Sequence, residues 1–444
     1  MSITRRVLGT QLATPSFEAM EVSLEEEVIA AVDSSAELQN AEAESGEIER
    51  LQDVADHTAQ SVDYIETQIN TGENGEAGEA TQNEVALAEQ VANLATVGTG
   101  EDADTVMPSN ESYIGATISC EGLKETIRGI IRAVIAAIKK LWERLKKFWR
   151  STMSRLSSLK KSAQELKTRA AGITGAAKEK KIKMSSSVSN LLAKDGSVQK
   201  DYGAISGGLK DFTSILKDCS SWGEKIAKAG EDIADGIRDL DATEAAKGEN
   251  KFVSGFVSKV KGLQSVFGGM SNSNDKRFAD KEVDVQKGKT LLGERALFSR
   301  TRKYTDSTAT SRNLASYRVW LDAASDKVKD HNETEFSTLS SSNVGDLAET
   351  VIDLVDAMAY YGEGKGLSNV EKSAGKVETA LDKLGRANDL DEAKSEDAAA
   401  LRRMISLGHA FADWARNPTA SVVNHCCAVC RAALTVGTRS LAQH

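Results

Sequence analysis

Proline is scarce in this chain of 444 residues, which has only Pro15, Pro108 and Pro418. Proline is what most often ends a helix, so its scarcity beside abundant Ala, Leu, Lys, Glu and Ser favours long helices. Aromatic residues make up 5% of the chain, and no uninterrupted apolar run approaches the roughly 18 residues of a membrane-crossing helix. The start, MSITRRVLGTQLATPSFEAMEV, has two arginines but no sustained apolar stretch, so a secretory signal is not expected. Five cysteines lay out no disulfide framework, and a reducing, intracellular setting is the default.

Catalytic signatures are missing as well. The sequence has no GxSxG, phosphate loop, dinucleotide fingerprint or HExxH, and His57, His331, His409 and His444 are scattered. GEGKG at 362–366 is a fragment of a phosphate loop, but it follows an apolar helix pattern and reads as a helix stop. These residues argue for no enzyme and imply no cofactor. One cluster, NHCCAVC, holds His425, Cys426, Cys427 and Cys430. Cys427 and Cys430 have knuckle spacing and His425 would add a ligand, yet a structural zinc site wants a second pair. The other reading is burial of small apolar thiols among Ala, Val and Leu.

What the chain does have is charge, unevenly spread. The formal net charge is −10, but residues 1–121 hold 25 acids against Arg5, Arg6 and Arg50, about −22, and residues 122–444 therefore carry about +12. Such a split between parts of one chain points to two pieces with different fates. The acidic piece is rich in small residues and poor in aromatics, so it offers little apolar area to offset chain entropy and is expected to be loosely structured.

From Gly122 the pattern sharpens. Leu123, Ile127, Ile130, Ile131, Val134, Ile138, Leu141, Trp142, Leu145, Phe148 and Trp149 form one stripe on a helix of about eight turns. The opposite face carries Lys124, Arg128, Arg132, Lys139, Lys140, Arg144, Lys146, Lys147 and Arg150, diluted only by Glu125 and Glu143. Such a helix can lie on an anionic membrane, fill a partner's groove, or pack its stripe into a core with the cations outward. Its cationic face also suits a dense polyanion, bound without sequence preference. Further amphipathic helices are expected over 208–240, 313–330, 344–366, 396–416 and 419–437. No alternating strand pattern of useful length stands out. The expected fold is mostly α, a helical-bundle-like body behind an acidic, loosely structured segment: 1–121 acidic, 122–266 basic and helical, 267–312 an irregular polar connection, 313–444 helical.

An acidic first third, then Ser119-Cys120-Glu121, then a basic helix from Gly122, resembles the internal head proteins of giant phiKZ-like bacteriophages. The resemblance implies a propeptide removed by the phage's prohead protease, which cuts after Glu in a small-residue-X-Glu triplet. Ser119 would be the recognition residue, and Glu121 and Gly122 would flank the cut. Glu25, Glu37, Glu47, Glu79 and Glu111 also fit the triplet, as do Glu165, Glu179, Glu231 and Glu244; Glu111 is the obvious second cut. The remainder would be packaged in the capsid with double-stranded DNA and other internal head proteins. It would pass from host cytoplasm during assembly to the virion, with possible ejection toward a host target. The rival reading is a membrane-active or host-interaction protein held inert by its acidic segment.

Overall fold

The computed structural model describes residues 139, 149–150, 152–238, 261–278, 283–302, 316–363, 365–386 and, except 409, 412 and 416, residues 407–444. The described body begins with a helix over 152–172 (α1), whose Leu156, Leu159, Ala163, Leu166 and Ala170 recur at steps of three and four and are all buried. There follow β1 (Lys181–Met184), α2 (Ser186–Leu191), the hairpin β2 (Ala193–Lys194) and β3 (Ser197–Val198), and α3 (Tyr202–Arg238). At 37 residues α3 is the spine, about 55 Å long at 1.5 Å per residue. Its solvent stripe is narrow, with Lys210, Ser214, Lys217, Ser221, Glu224 and Lys228 exposed and most positions between them buried.

α4 (Ser341–Glu363) and α5 (Lys365–Arg386) come next, and α6 (Thr419–Leu441) closes the core. The longest helix–helix interface joins α3 to α5. There Ser373 Oγ donates to the Ala227 carbonyl at 2.7 Å, and Lys376 bridges Glu231 at 2.7 Å. Of the glycines of GEGKG, Gly362 lies in the last turn of α4 and Gly366 in the first turn of α5. The stretch Asp413–Leu441 is long and apolar enough to cross a membrane by length and composition, contrary to the reading by uninterrupted runs. Since 78% of its most apolar window is buried inside the protein, that apolarity serves the core.

Two sequence expectations fail in the middle of the chain. The stretch expected to be an irregular polar connection, 267–312, holds β4 (Ser271–Asn272), β5 (Val283–Leu291) and β6 (Arg295–Arg302). The helix expected over 313–330 is instead β7 (Arg318–Ala323). Together they make an antiparallel sheet of order β4-β5-β6-β7, and a separate ribbon pairs β1 with β8 (Thr334–Ser337). The body is thus helical with substantial sheet, not all-helical. Strand β6 hid because both its faces are covered: Leu297 packs in the main core while Ala296 and Phe298 join a second cluster with Val285 and Ala324. Doubly buried strands read as runs, not alternations. At β7 the pair Tyr317, just before the strand, and Leu321 within it is four apart, a spacing that period two and period 3.6 both satisfy. Val319, between them and buried with them, decides for the strand.

The sheet is locked to the helices by one turn. The turn Leu292-Gly293-Glu294 joins β5 to β6, and Gly293 N donates to Ala193 O at 2.8 Å. The Glu294 carboxylate accepts from Gly196 N at 2.6 Å, across the two-residue Asp195-Gly196 turn of the β2–β3 hairpin. Gly293 has φ +77°, and a Cβ there would lie 2.5 Å from the His425 ring, so both backbone and space demand glycine.

Candidate functional site

The triplet Ser119-Cys120-Glu121, Gly122 and the secondary candidate Glu111 lie outside the described residues. So do Lys124, Arg128, Arg132, Lys140, Arg144, Lys146 and Lys147 of the polyanion face. Its other two members, Lys139 and Arg150, are helical and exposed. Lys139 Nζ stands 2.9 Å from Glu378 Oε1 on α5, a solvent-screened pair. Trp149, by contrast, is 3% exposed and belongs to the main core. One residue in and the next one out is what the stripe predicts at this point. The sequence carries the same three-and-four spacing back from Trp149 through Leu145, Leu141, Ile138 and Val134, in phase with the buried seam of α1.

The histidine–cysteine cluster does not assemble as a metal site. Cys426, Cys427 and Cys430 on α6, and Cys219 on α3, are free and buried. Burial pushes the Cys219 and Cys427 thiols up to about 12 and Cys426 well above the usual range, so they stay protonated and poor as ligands. Cys427 Sγ rests 3.8 Å from Met358 Sδ. His425 faces elsewhere: Nε2 donates to the Leu292 carbonyl at 2.7 Å, and the ring lies 5.8 Å from Phe212. Among the described residues no group of three or more His, Cys, Asp or Glu is placed to hold a metal ion. His425 is the clasp on the sheet's locking turn.

That clasp makes stability depend on acid. Desolvation, partly opposed by the bond to Leu292, lowers the His425 pKa to about 4, against roughly 6.5 in an unfolded chain. As pH falls below the unfolded value, the unfolded chain takes up a proton that the folded protein refuses. Stability is therefore lost between those two values, by up to about 3 kcal/mol, and levels off below the lower one. In urea unfolding followed from neutral pH down to that lower value, His425→Gln should show a shallower decline than the parent. Parallel declines would remove His425 as the cause.

Sequence reasoning missed the β1–β8 ribbon and its lysines. The signal was present in Lys181-Ile182-Lys183-Met184, whose alternation matches its exposed–buried–exposed–buried pattern, but four residues are too few to stand out.

With the geometry in place, the comparisons bear on identity. The chain matches the family model of phiKZ-like phage internal head proteins over residues 25–439, from within the acidic segment to the last turns of α6. No curated protein and no solved structure matches it. The family match spans the charge boundary and both the helical and the sheet parts of the body, and the chain belongs to the phiKZ-like phage internal head proteins.

Proposed function

We propose that the protein is a non-enzymatic structural component of the head, made as an acidic precursor, cut after Glu121 and retained in the capsid against packaged DNA. The observation that carries the reading is the family match running from residue 25 across the sign change. It makes the acidic segment part of the family's pattern and not an appendage of this chain. Charge supplies the mechanism. Residues 122–151 hold nine cations and two carboxylates, +7, which leaves +5 for residues 152–444. While residues 1–121 are attached, their −22 opposes both; once they leave, a DNA-repelling chain becomes a DNA-attracting one with no change of fold.

Within the body, Glu165 and Glu231 lie in α1 and α3, where a protease meets helix, whereas Glu179 stands exposed between α1 and β1. The membrane-active reading has less support, since Trp149, one of its two interfacial anchors, is buried in the core. The test is the N-terminus of the protein recovered from purified heads, read by semi-tryptic peptide mass spectrometry. A non-tryptic start at Gly122, with peptides from 1–121 depleted, is expected. Residues 1–121 present in step with the rest would overturn the processing.

A further inference from the structure

The β1–β8 ribbon pairs Lys181 with Ser337, Ile182 with Phe336, Lys183 with Glu335 and Met184 with Thr334. Ile182, Met184 and Phe336 face the core, which leaves Lys181, Lys183, Glu335 and Ser337 outward. Neighbouring chain adds more cations. Lys178 and Lys180 are exposed in the lead-in, which is pinned where Lys178 N donates to Gln443 O at 2.7 Å and Thr338 N donates to Lys180 O at 3.1 Å. Exposed Lys200 sits alongside, its carbonyl accepting from Ser337 N at 2.9 Å. Arg439, in the last turn of α6, donates to Lys183 O at 2.5 Å.

These lysines converge. Lys181 Nζ donates to the Glu335 carboxylate at 2.9 Å and, with Lys183 and Lys200 also near, holds its pKa below the usual carboxylate range. One carboxylate cannot neutralise three ammonium groups. The other acids of these segments are Glu179, Asp201 and Glu333, so six cations, Arg439 included, stand against four carboxylates. Along β1, Lys181 and Lys183 stand about 6.6 Å apart on the same side.

We propose that this ribbon is a second contact surface for the phosphate backbone of double-stranded nucleic acid, separate in sequence from the basic segment 122–150. The proposal rests on the DNA contact put forward above. Nucleic acid fits better than a lipid surface because the outward face offers ammonium groups and no apolar anchor, which membrane-surface binding needs. Among the described residues the exposed large apolar side chains are Val328 and Tyr360, and neither is on the ribbon. Among the described residues no exposed aromatic side chain stands with the lysines, so the contact positions the duplex without reading its sequence.

The test is amine acetylation of the protein isolated from heads, with and without a short DNA duplex at low salt, resolved by mass spectrometry. Duplex should slow modification of Lys178, Lys180, Lys181, Lys183 and Lys200 by about threefold or more relative to Lys210, Lys217 and Lys228 on α3, and high salt should abolish the difference. Equal protection of the two sets while the duplex is bound overturns the ribbon proposal and leaves the DNA contact standing. No duplex binding at any salt overturns both. Protection by anionic vesicles but not by duplex overturns the choice of partner.

Discussion

The form beginning at Gly122 should bind double-stranded DNA under conditions where the full chain does not. Proteins that grip the phosphate backbone without reading bases bind with dissociation constants on the order of 10⁻⁵ M at physiological salt, and log K falls by about 0.9 per phosphate engaged for each tenfold rise in salt. The full chain, at −10, faces net repulsion; the shorter form, at +12, faces attraction. The expected difference is about 100-fold or more at physiological salt, shrinking as salt rises, because the opposing charges are on the surface and are screened. Fluorescence anisotropy with a labelled duplex across a salt series measures both affinity and slope. Six engaged phosphates would give a slope near five, about what the nine cations of residues 122–150 can supply after some pair as Lys139 does with Glu378. Equal binding by the two forms would show that the acidic segment does not govern the interaction, and the propeptide would need another purpose.

Replacing Trp222 by alanine should cost about 4 kcal/mol of stability, the range for removing a large buried aromatic. Trp222 has no exposed surface. Its ring packs 5.4 Å from Phe267 and 6.2 Å from Tyr317, and its Nε1 donates to the carbonyls of Trp414 at 3.0 Å and Asn417 at 2.8 Å. Trp414 Nε1 in turn donates to Tyr317 O at 2.8 Å. The two indoles therefore join the spine, the residue that leads into β7 and the chain leading into α6. Beside this knot Arg318 Nε meets Asp413 Oδ2 at 3.2 Å in a buried pair. Trp222→Phe keeps most of the volume but strips the shared donor from two buried carbonyls, so it should cost about 2 kcal/mol. Urea unfolding of the parent and both variants separates packing from hydrogen bonding. A loss below about 1 kcal/mol for Trp222→Ala would mean that the knot is not central to the core.

How far the sequence was legible depended on length and one-sidedness. Helices α3, α4 and α6 fell close to the stretches expected at 208–240, 344–366 and 419–437, because each repeats its apolar spacing over many turns. Strands of six to nine residues had no such redundancy. Two wrong readings had definite causes: Phe298 and Leu297 are buried on opposite faces of β6, and Tyr317, just before β7, and Leu321 within it satisfy both periods. One signal was overlooked. Asp195-Gly196, with φ values of 53° and 77°, is a two-residue hairpin turn of a kind that Asp-Gly marks well. Its flanking strands, at two residues each, are too short to announce it. The family was legible from the order of charge blocks. That His425 turns away from the buried cysteines depends on a turn 133 residues away, which no local spacing announces.

Helix α6 buries 19 of its 23 residues, yet it comes last of the described elements in chain order. On the ribosome, chain is added at about 5–20 residues per second, so the apolar faces of α1, α3 and α4 wait many seconds for the element that covers them. The core of this body cannot close until α6 has left the ribosome. That closure joins contacts far apart in sequence, the kind that is slow to form. Throughout that interval the unfinished chain already carries the charge of its first 121 residues, about −22, and like charge opposes association.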